Sequence, residues 1–108
     1  MANTFKMTSY DVTASYATAY TAPGSTTSVV IGFQIANVHA TDAKWASVKV
    51  VQSGGGSESI IANQISIPVN DTLNPIQGKL VLETGDYIQI QAESASSLEA
   101  TISYLEIT

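Results

Sequence analysis

The only histidine of the chain, His39, is the first candidate for catalysis. Asp42 follows it closely, so a Ser-His-Asp arrangement could be written with one of the 13 serines. No serine lies in the Gly-x-Ser-x-Gly pattern that holds such a nucleophile on a sharp strand-to-helix turn. The sequence therefore predicts that the protein is not an enzyme and that His39 is a solvated loop residue, or one that touches a partner.

Residues that could hold a metal ion or a cofactor are sparse. The chain has no cysteine and one histidine, so zinc would lack its preferred ligands. Calcium needs clustered oxygen ligands, but Glu83 and Asp86 bracket a glycine in a pattern typical of a tight turn, and Asp71 lies in another loop. The GGGS run at 54–57 lacks the Gly-Lys-Ser/Thr ending of a phosphate-binding loop. We expect no metal and no cofactor.

The charge balance narrows the classes of partner. Four lysines and no arginine stand against nine acidic residues, which gives a net charge of −5. Binding to nucleic acid or to an anionic membrane surface needs clustered positive charge, so we expect neither partner. The first residues lack the apolar stretch of a signal peptide and no apolar run could span a membrane. We expect a protein that is made in a cytoplasm.

The elements that must position these residues are predicted to be strands. Valine and isoleucine (9 and 11) outnumber leucine (5), which favours a pleated sheet. Period-two alternation with intervening turn signals recurs along the chain. The predicted strands are 10–20, 28–37, 44–52, 60–69, 79–82, 87–93 and 98–107, with an eighth if 60–69 is split near Ala62.

This spacing predicts an all-β protein, a single antiparallel β-sandwich that is jelly-roll-like, with seven to eight strands. We assign residues 10–108 to the sandwich domain and residues 1–9, which show no period, to an N-terminal arm.

Two patterns within the strands bear on surfaces. In 28–37 the alternation predicts Val29, Ile31, Phe33 and Ile35 on the core face, and Gly32 indicates a bulge or a close backbone approach. Three tyrosines at even spacing and Trp45 are open to three interpretations: core, subunit interface or sugar-binding platform. The tyrosines are Tyr10, Tyr16 and Tyr20.

The order of turns and strands is similar to that of a known family. A YTAPGSTT turn at 20–27 leads into VVIGFQIAN at 29–37; LVLETGDYIQIQA at 80–92 and SYLEI at 103–107 follow. These segments resemble small β-sandwich virion proteins of tailed phages, whose pattern includes a Leu-x-Leu-x-x-Gly-Asp turn. The resemblance covers residues 12–107.

The resemblance implies a non-enzymatic virion subunit, often trimeric, located in a capsid, neck, tail or head fibre. We expect a capsid cement (decoration) protein that self-associates as a homotrimer and bridges major capsid proteins; a carbohydrate-binding module is the alternative of another class. The residues expected to contact partners are Phe5, Tyr10, Pro23, His39, Trp45 and Asp71.

Overall fold

The computed structural model describes residues 2–54 and 56–108; Met1 of the predicted arm and Gly55 of the glycine-rich run lie outside them. No helix in these two ranges is long and apolar enough to cross a membrane. The described chain forms nine strands: β1 (Asn3–Asp11), β2 (Ala17–Thr21), β3 (Thr27–Asn37), β4 (Lys44–Val51), β5 (Glu58–Ile67), β6 (Thr72–Leu73), β7 (Leu80–Leu82), β8 (Tyr87–Ala92) and β9 (Leu98–Ile107).

The strands form two antiparallel sheets. The five-stranded sheet has the order β1-β9-β3-β6, with β7 also pairing with β3, and the four-stranded sheet has the order β2-β8-β4-β5. Since β6 and β7 both lie beside β3, they occupy one strand position, and each sheet then has four positions. Except from β4 to β5 and from β6 to β7, the chain crosses from one sheet to the other between successive strands, which is the jelly-roll arrangement. The predicted all-β, jelly-roll-like sandwich is confirmed, but it has nine strands in place of the predicted seven to eight, because the predicted strand 10–20 is divided between β1 and β2 and the loop after β5 contains β6.

The first residues differ from the expectation for a segment without periodicity. Residues 3–11 form β1, which pairs along its whole length with β9, from Asn3 opposite Ile107 to Asp11 opposite Glu99. The hydrogen bonds between paired strands join backbone groups and do not require alternating side chains. A partner strand can therefore order a sequence that shows no alternation. Whether residues 1–9 also act as an arm towards another subunit stays a prediction.

The core-facing set predicted for β3 is correct in its second half and wrong in its first. Phe33 and Ile35 are buried, but Ile31 is exposed and Val30 takes the buried place instead. The cause is a bulge, since the register with β9 shifts between Val30 and Gly32. One extra residue reverses the side-chain alternation, so Val29 also points outward. The bulge predicted at Gly32 is therefore confirmed.

The alternation predicted for the last two long strands is confirmed. Every second residue of β8 and β9 is buried, and these side chains meet those of β3 and β4 between the sheets. The described part of the chain has no buried side-chain nitrogen or oxygen without a hydrogen-bond partner. The largest fully buried side chains are Ile35, Ile67, Leu82, Ile88, Ile90, Leu98 and Ile102.

Residues 83–86 form the tight turn that the sequence pattern predicts. Asp86 N donates to Glu83 O over 3.0 Å, and the Asp86 carboxylate accepts hydrogen bonds from the backbone of Glu83 and of Ser53, each 3.0 Å long. Gly85 lies at φ 88°, and a Cβ added there would come within 2.7 Å of Ser53 Cβ. The turn therefore requires glycine for its backbone angle and for its contact with the β4–β5 connection.

Gly85→Ala is expected to lower the free energy of unfolding by about 1 to 2 kcal/mol, because a Cβ is disfavoured at this φ. The clash with Ser53 adds to that cost. Urea denaturation followed by circular dichroism measures the change. Gly24→Ala is the matched control, since no atom lies within 4 Å of its added Cβ. Equal stability of the two variants would contradict the role given to Gly85.

Candidate functional site

An apolar row crosses the outer face of the five-stranded sheet. The register places Phe5 opposite Leu105, Leu105 opposite Val29, and Val29 opposite Val81. Residues directly opposite each other share a face, and the buried residues of β9 point the other way. Phe5 is 72% exposed and Val81 57% exposed, while the two central members are half-buried. We call Phe5, Leu105, Val29 and Val81 the apolar row.

Further apolar side chains flank this row. Met7 lies two residues beyond Phe5 on β1 and is exposed, and the bulge on β3 turns Ile31 outward. Ile107 flanks the row on its other side, where it lies opposite Asn3 on β1 and Thr27 on β3. Large apolar groups that are exposed next to each other on one face mark an interaction surface more often than single exposed residues do.

A shallow depression adjoins the row on the same face. It has a volume of about 220 Å³ and is lined by Gly32, Phe33, Gln34, Asn74, Thr101 and Ser103. Gly32 contributes no side chain, so the sheet surface is low between the taller side chains of its neighbours. A Cβ at this position would lie 3.6 Å from Ser103 Cβ, an ordinary contact distance. A side chain at position 32 would therefore occupy part of the depression.

Charged side chains are missing from the strand residues of this face. The outward residues of β1 from Asn3 to Ser9, and their partners on β9, β3 and β7, are all polar-neutral or apolar. Charges stand at its borders: Asp11 and Glu99 at one end, and Lys79 just before β7. We call this area, with the apolar row and the depression, the neutral face.

The outer face of the four-stranded sheet is different in kind. Lys49 Nζ lies 4.5 Å from the centre of the Tyr16 ring and 3.5 Å from Glu58 Oε1. Gln89 Nε2 donates to Thr18 Oγ1 over 3.3 Å. Polar and charged side chains on this face therefore bind one another across the strands, whereas the outward strand residues of the neutral face carry no charge.

A polar cluster lies beneath the neutral face, between the sheets. Glu106 is only 7% exposed; its Oε1 lies 2.8 Å from Lys6 Nζ, and its Oε2 accepts a 2.8 Å hydrogen bond from Tyr20 Oη. Tyr20 Oη also lies 2.6 Å from Ser28 Oγ, and its ring packs on Tyr104 with centroids 4.2 Å apart. Every charged or hydroxyl group of this cluster has a partner.

The pKa values in the cluster follow from these contacts. The hydrogen bond from Lys6, and then that from Tyr20, hold the pKa of the Glu106 carboxyl below its ordinary range. The hydrogen bond between Lys6 and Glu106, and then the negative charge of Glu106, raise the pKa of Lys6. Burial raises the pKa of the Tyr20 hydroxyl far above its usual value. At neutral pH the cluster is therefore a charged pair with a neutral tyrosine.

The side chain of His39, the candidate for catalysis, forms hydrogen bonds within its own loop. His39 Nδ1 accepts backbone hydrogen bonds from Thr41 N at 3.2 Å and Asp42 N at 3.0 Å. Buried Asn37 ties the loop down by donating to Asp42 O and accepting from His39 N. Among the described residues, no group of three or more His, Cys, Asp or Glu side chains is placed to hold a metal ion.

The predicted contact residues are distributed over the molecule. Phe5 lies on the neutral face. His39 and Asp71 lie at one end of the sandwich, where Asn37 N donates to Asp71 O, whereas Pro23 lies at the other end, beside the turn at 83–86. Near the His39 end, the backbone oxygen of half-buried Trp45 accepts a hydrogen bond from Glu93 N, and Trp45 N donates to the Glu93 carboxylate. That these residues bind a partner stays a prediction.

The three tyrosines do not form one row. Residues 12–16 lie between β1 and β2, so the period-two alternation across them is broken. Tyr20 is buried between the sheets, Tyr10 packs on the core, and Tyr16 lies outside against Lys49. The flat aromatic platform that a sugar-binding site would need from these residues is therefore not formed.

Most of the neutral face is not predictable from the sequence pattern. The alternation places Val29 and Ile31 on the core face, and no signal within a short strand such as β7 separates an inward from an outward Val81. The one usable signal was Gly32 in an apolar strand, which indicated the bulge.

The sequence matches no protein-family model and no curated protein. Solved structures with similar folds include a pilus, a phage capsid and a viral particle. The structure of pili from Bacillus endospore appendages aligns with TM-score 0.55 at 13% identity, over 99% of this chain and 87% of that one. The capsid structure of Helicobacter pylori bacteriophage KHP30 aligns with TM-score 0.56 at 8% identity, over 100% and 89%.

The third is the subviral particle of infectious bursal disease virus, with TM-score 0.53 at 12% identity; the alignment covers 95% of this chain but only 30% of that one. The chain thus spans less than a third of the viral protein. Identities this low establish a shared fold and nothing finer.

Proposed function

We propose that the protein is a non-enzymatic structural subunit of a phage virion, and specifically a capsid cement protein that bridges major capsid proteins. The observation that carries this proposal is a jelly roll with an open sheet face that exposes four large apolar side chains and whose outward strand residues are uncharged. Such a face buries apolar area against another protein, and it offers no group for a reaction.

The fold comparisons support the broader part of this proposal, which is a structural role in a virion. A phage capsid chain of similar length has the same fold, and a viral particle protein contains it as a part. The similar pili are described as disulfide-linked, and this chain has no cysteine with which to form such links. A role in a capsid therefore fits the chain better than that kind of pilus does.

The proposed mechanism is bridging by many weak contacts. A subunit that touches two neighbouring shell proteins converts the second contact into an intramolecular one, so modest affinities add up to firm attachment. We propose that loops at Pro23, His39 and Asp71 make the shell contacts, and that copies of the chain associate with one another as a homotrimer. Neck, tail and head-fibre positions are the alternative virion locations.

Imaging of the particle tests the proposal. A cement protein is expected as jelly-roll density in copies that scale with the number of major capsid proteins over the whole shell. Purified protein added to shells that lack it is also expected to raise the temperature at which the shells break. Density confined to one vertex would assign the protein to the neck or tail, and its absence from particles would contradict a virion role.

A further inference from the structure

The neutral face carries a protruding group and a recess side by side. Phe5 projects from β1 with 72% of its surface exposed, and the 220 Å³ depression at Gly32 lies two strands away on β3. Along the strand direction the two features are offset by two residues, because Phe5 lies opposite Leu105 on β9 and Gly32 lies opposite Ser103. The two features are thus about 12 Å apart, at the usual spacings between strands and along them.

This pairing suits a second copy of the same face. In a two-fold contact, residue i of one copy meets residue j of the other, and residue j meets residue i. A two-fold axis in the plane of the contact, midway between Phe5 and Gly32, puts each Phe5 over the depression of the other copy. A single surface that contains both the projection and the recess is therefore self-complementary in shape.

Charge points to the same occupant. The chain carries a net charge of −5, so two copies repel each other over most of their surfaces. The neutral face is where two copies can meet without placing like charges opposite each other. A basic partner would gain nothing from this face, since its attraction would be to the acidic surfaces elsewhere.

The size of the face is adequate for the centre of such a contact. It measures about 15 Å across its four strands and about 20 Å along them. A standard interface buries about 800 Å² on each partner, with an apolar centre and a polar rim. The apolar row with Met7 and Ile31 supplies the centre, and the surrounding loops supply the rim.

We propose that two copies of this protein pack through their neutral faces about a two-fold axis, with Phe5 of each copy seated in the depression at Gly32 of the other. This inference rests on one part of the proposed function, the self-association of the chain. It does not depend on where in a particle the protein lies. Together with the predicted trimer, this contact gives an assembly of six chains; without the trimer it gives two.

The test measures the native mass of the full chain by sedimentation over a range of concentrations. We expect two or six chains for the unchanged protein. Phe5→Ala is expected to weaken the two-fold contact about 100-fold, because each dimer loses two buried phenyl groups. Gly32→Leu fills the depression and is expected to act in the same way, with a Cβ that the fold accommodates. Ile60→Ala, at a 59% exposed residue of β5, is the matched control and should leave the mass unchanged.

Mixing the two variants makes the test specific. Phe5→Ala keeps its depression and Gly32→Leu keeps its phenyl group, so a mixed dimer retains one intact contact, and its other contact has neither projection nor recess. We expect mixed dimers to form more tightly than dimers of either variant alone. Urea midpoints for both variants, measured beside the unchanged protein, show that each is folded.

Several outcomes would overturn the inference. These are a single chain at every concentration, a mass of three chains only, an unchanged mass for Phe5→Ala, or a mixture that associates no better than its components. Loss of shell binding in Phe5→Ala without a change in mass would assign the face to the shell protein instead. A confirmed two-fold contact in a protein that is absent from particles would contradict the proposed function and leave this inference standing.

Discussion

Ile102→Ala is expected to lower the free energy of unfolding by about 3 to 4 kcal/mol, which is a large share of the 5 to 15 kcal/mol typical of a small domain. Ile102 is fully buried on β9, the strand that joins β1 to β3. Its register partners are Thr8 and Phe33. The substitution removes three methyl or methylene groups from the core. The paired strands on both sides of Ile102 limit how far the surrounding structure can relax into the cavity.

Urea denaturation at neutral pH measures this loss. Ile60→Ala is the matched control, because it makes the same chemical change at an exposed residue that lies outside the neutral face. We expect the control to lose less than about 1 kcal/mol. Similar losses for the two variants would mean that Ile102 is not the core residue that the structure makes it.

Glu106→Ala is expected to lower the free energy of unfolding by about 2 to 3 kcal/mol at neutral pH, since hydrogen bonds to a buried charged group are the stronger kind. The substitution removes the acceptor of Tyr20 and the counter-charge of Lys6. Tyr20 keeps its bond to Ser28, and Lys6, which is half exposed, can turn to water, so the loss stays moderate.

The effect of Glu106→Ala should depend on pH. Because the folded-state pKa of Glu106 is below its ordinary value of 4.5, its contribution is complete above that value and is lost as pH falls through the folded-state pKa. The gap between the unchanged protein and Glu106→Ala should therefore close in acid. At the alkaline end, the pKa of Lys6 is raised above 10.5, so the pair is lost as pH rises through the folded-state value.

Denaturation midpoints at acid, neutral and alkaline pH check both statements. Glu99→Ala is the control: it removes an exposed carboxylate from the same strand and should change stability by less than about 0.5 kcal/mol at either pH. A gap between Glu106→Ala and the unchanged protein that stays constant from neutral pH to well below pH 4.5 would contradict the assigned pKa direction.

The buried carboxylate shows one limit of sequence reasoning. Glu106 follows the alternation of β9, in which Ala100, Ile102 and Tyr104 point inward, so its parity indicated an inward side chain. Charge argued for an outward one. The conflict is resolved only by Lys6 and Tyr20, which come from other strands and satisfy both carboxylate oxygens.

The candidate site shows another limit. The members of the apolar row come from β1, β3, β7 and β9, and no two of them are close in sequence. Each is an ordinary strand residue by itself. They become a surface only because the ladders place Phe5, Leu105, Val29 and Val81 in one line.

The amino-acid sequence alone determined that the chain is an all-β sandwich, where most of its turns fall (although not the break at residues 12–16), and which side of β8 and β9 faces inward. These properties depend on alternation and turn residues within a few positions of one another, and such local preferences can be read without a partner. Tertiary structure decided the rest. The pairing of β1 with β9, the reversal of faces at Ile31 and the neutral face itself depend on hydrogen bonds between distant segments, which only the complete fold brings together.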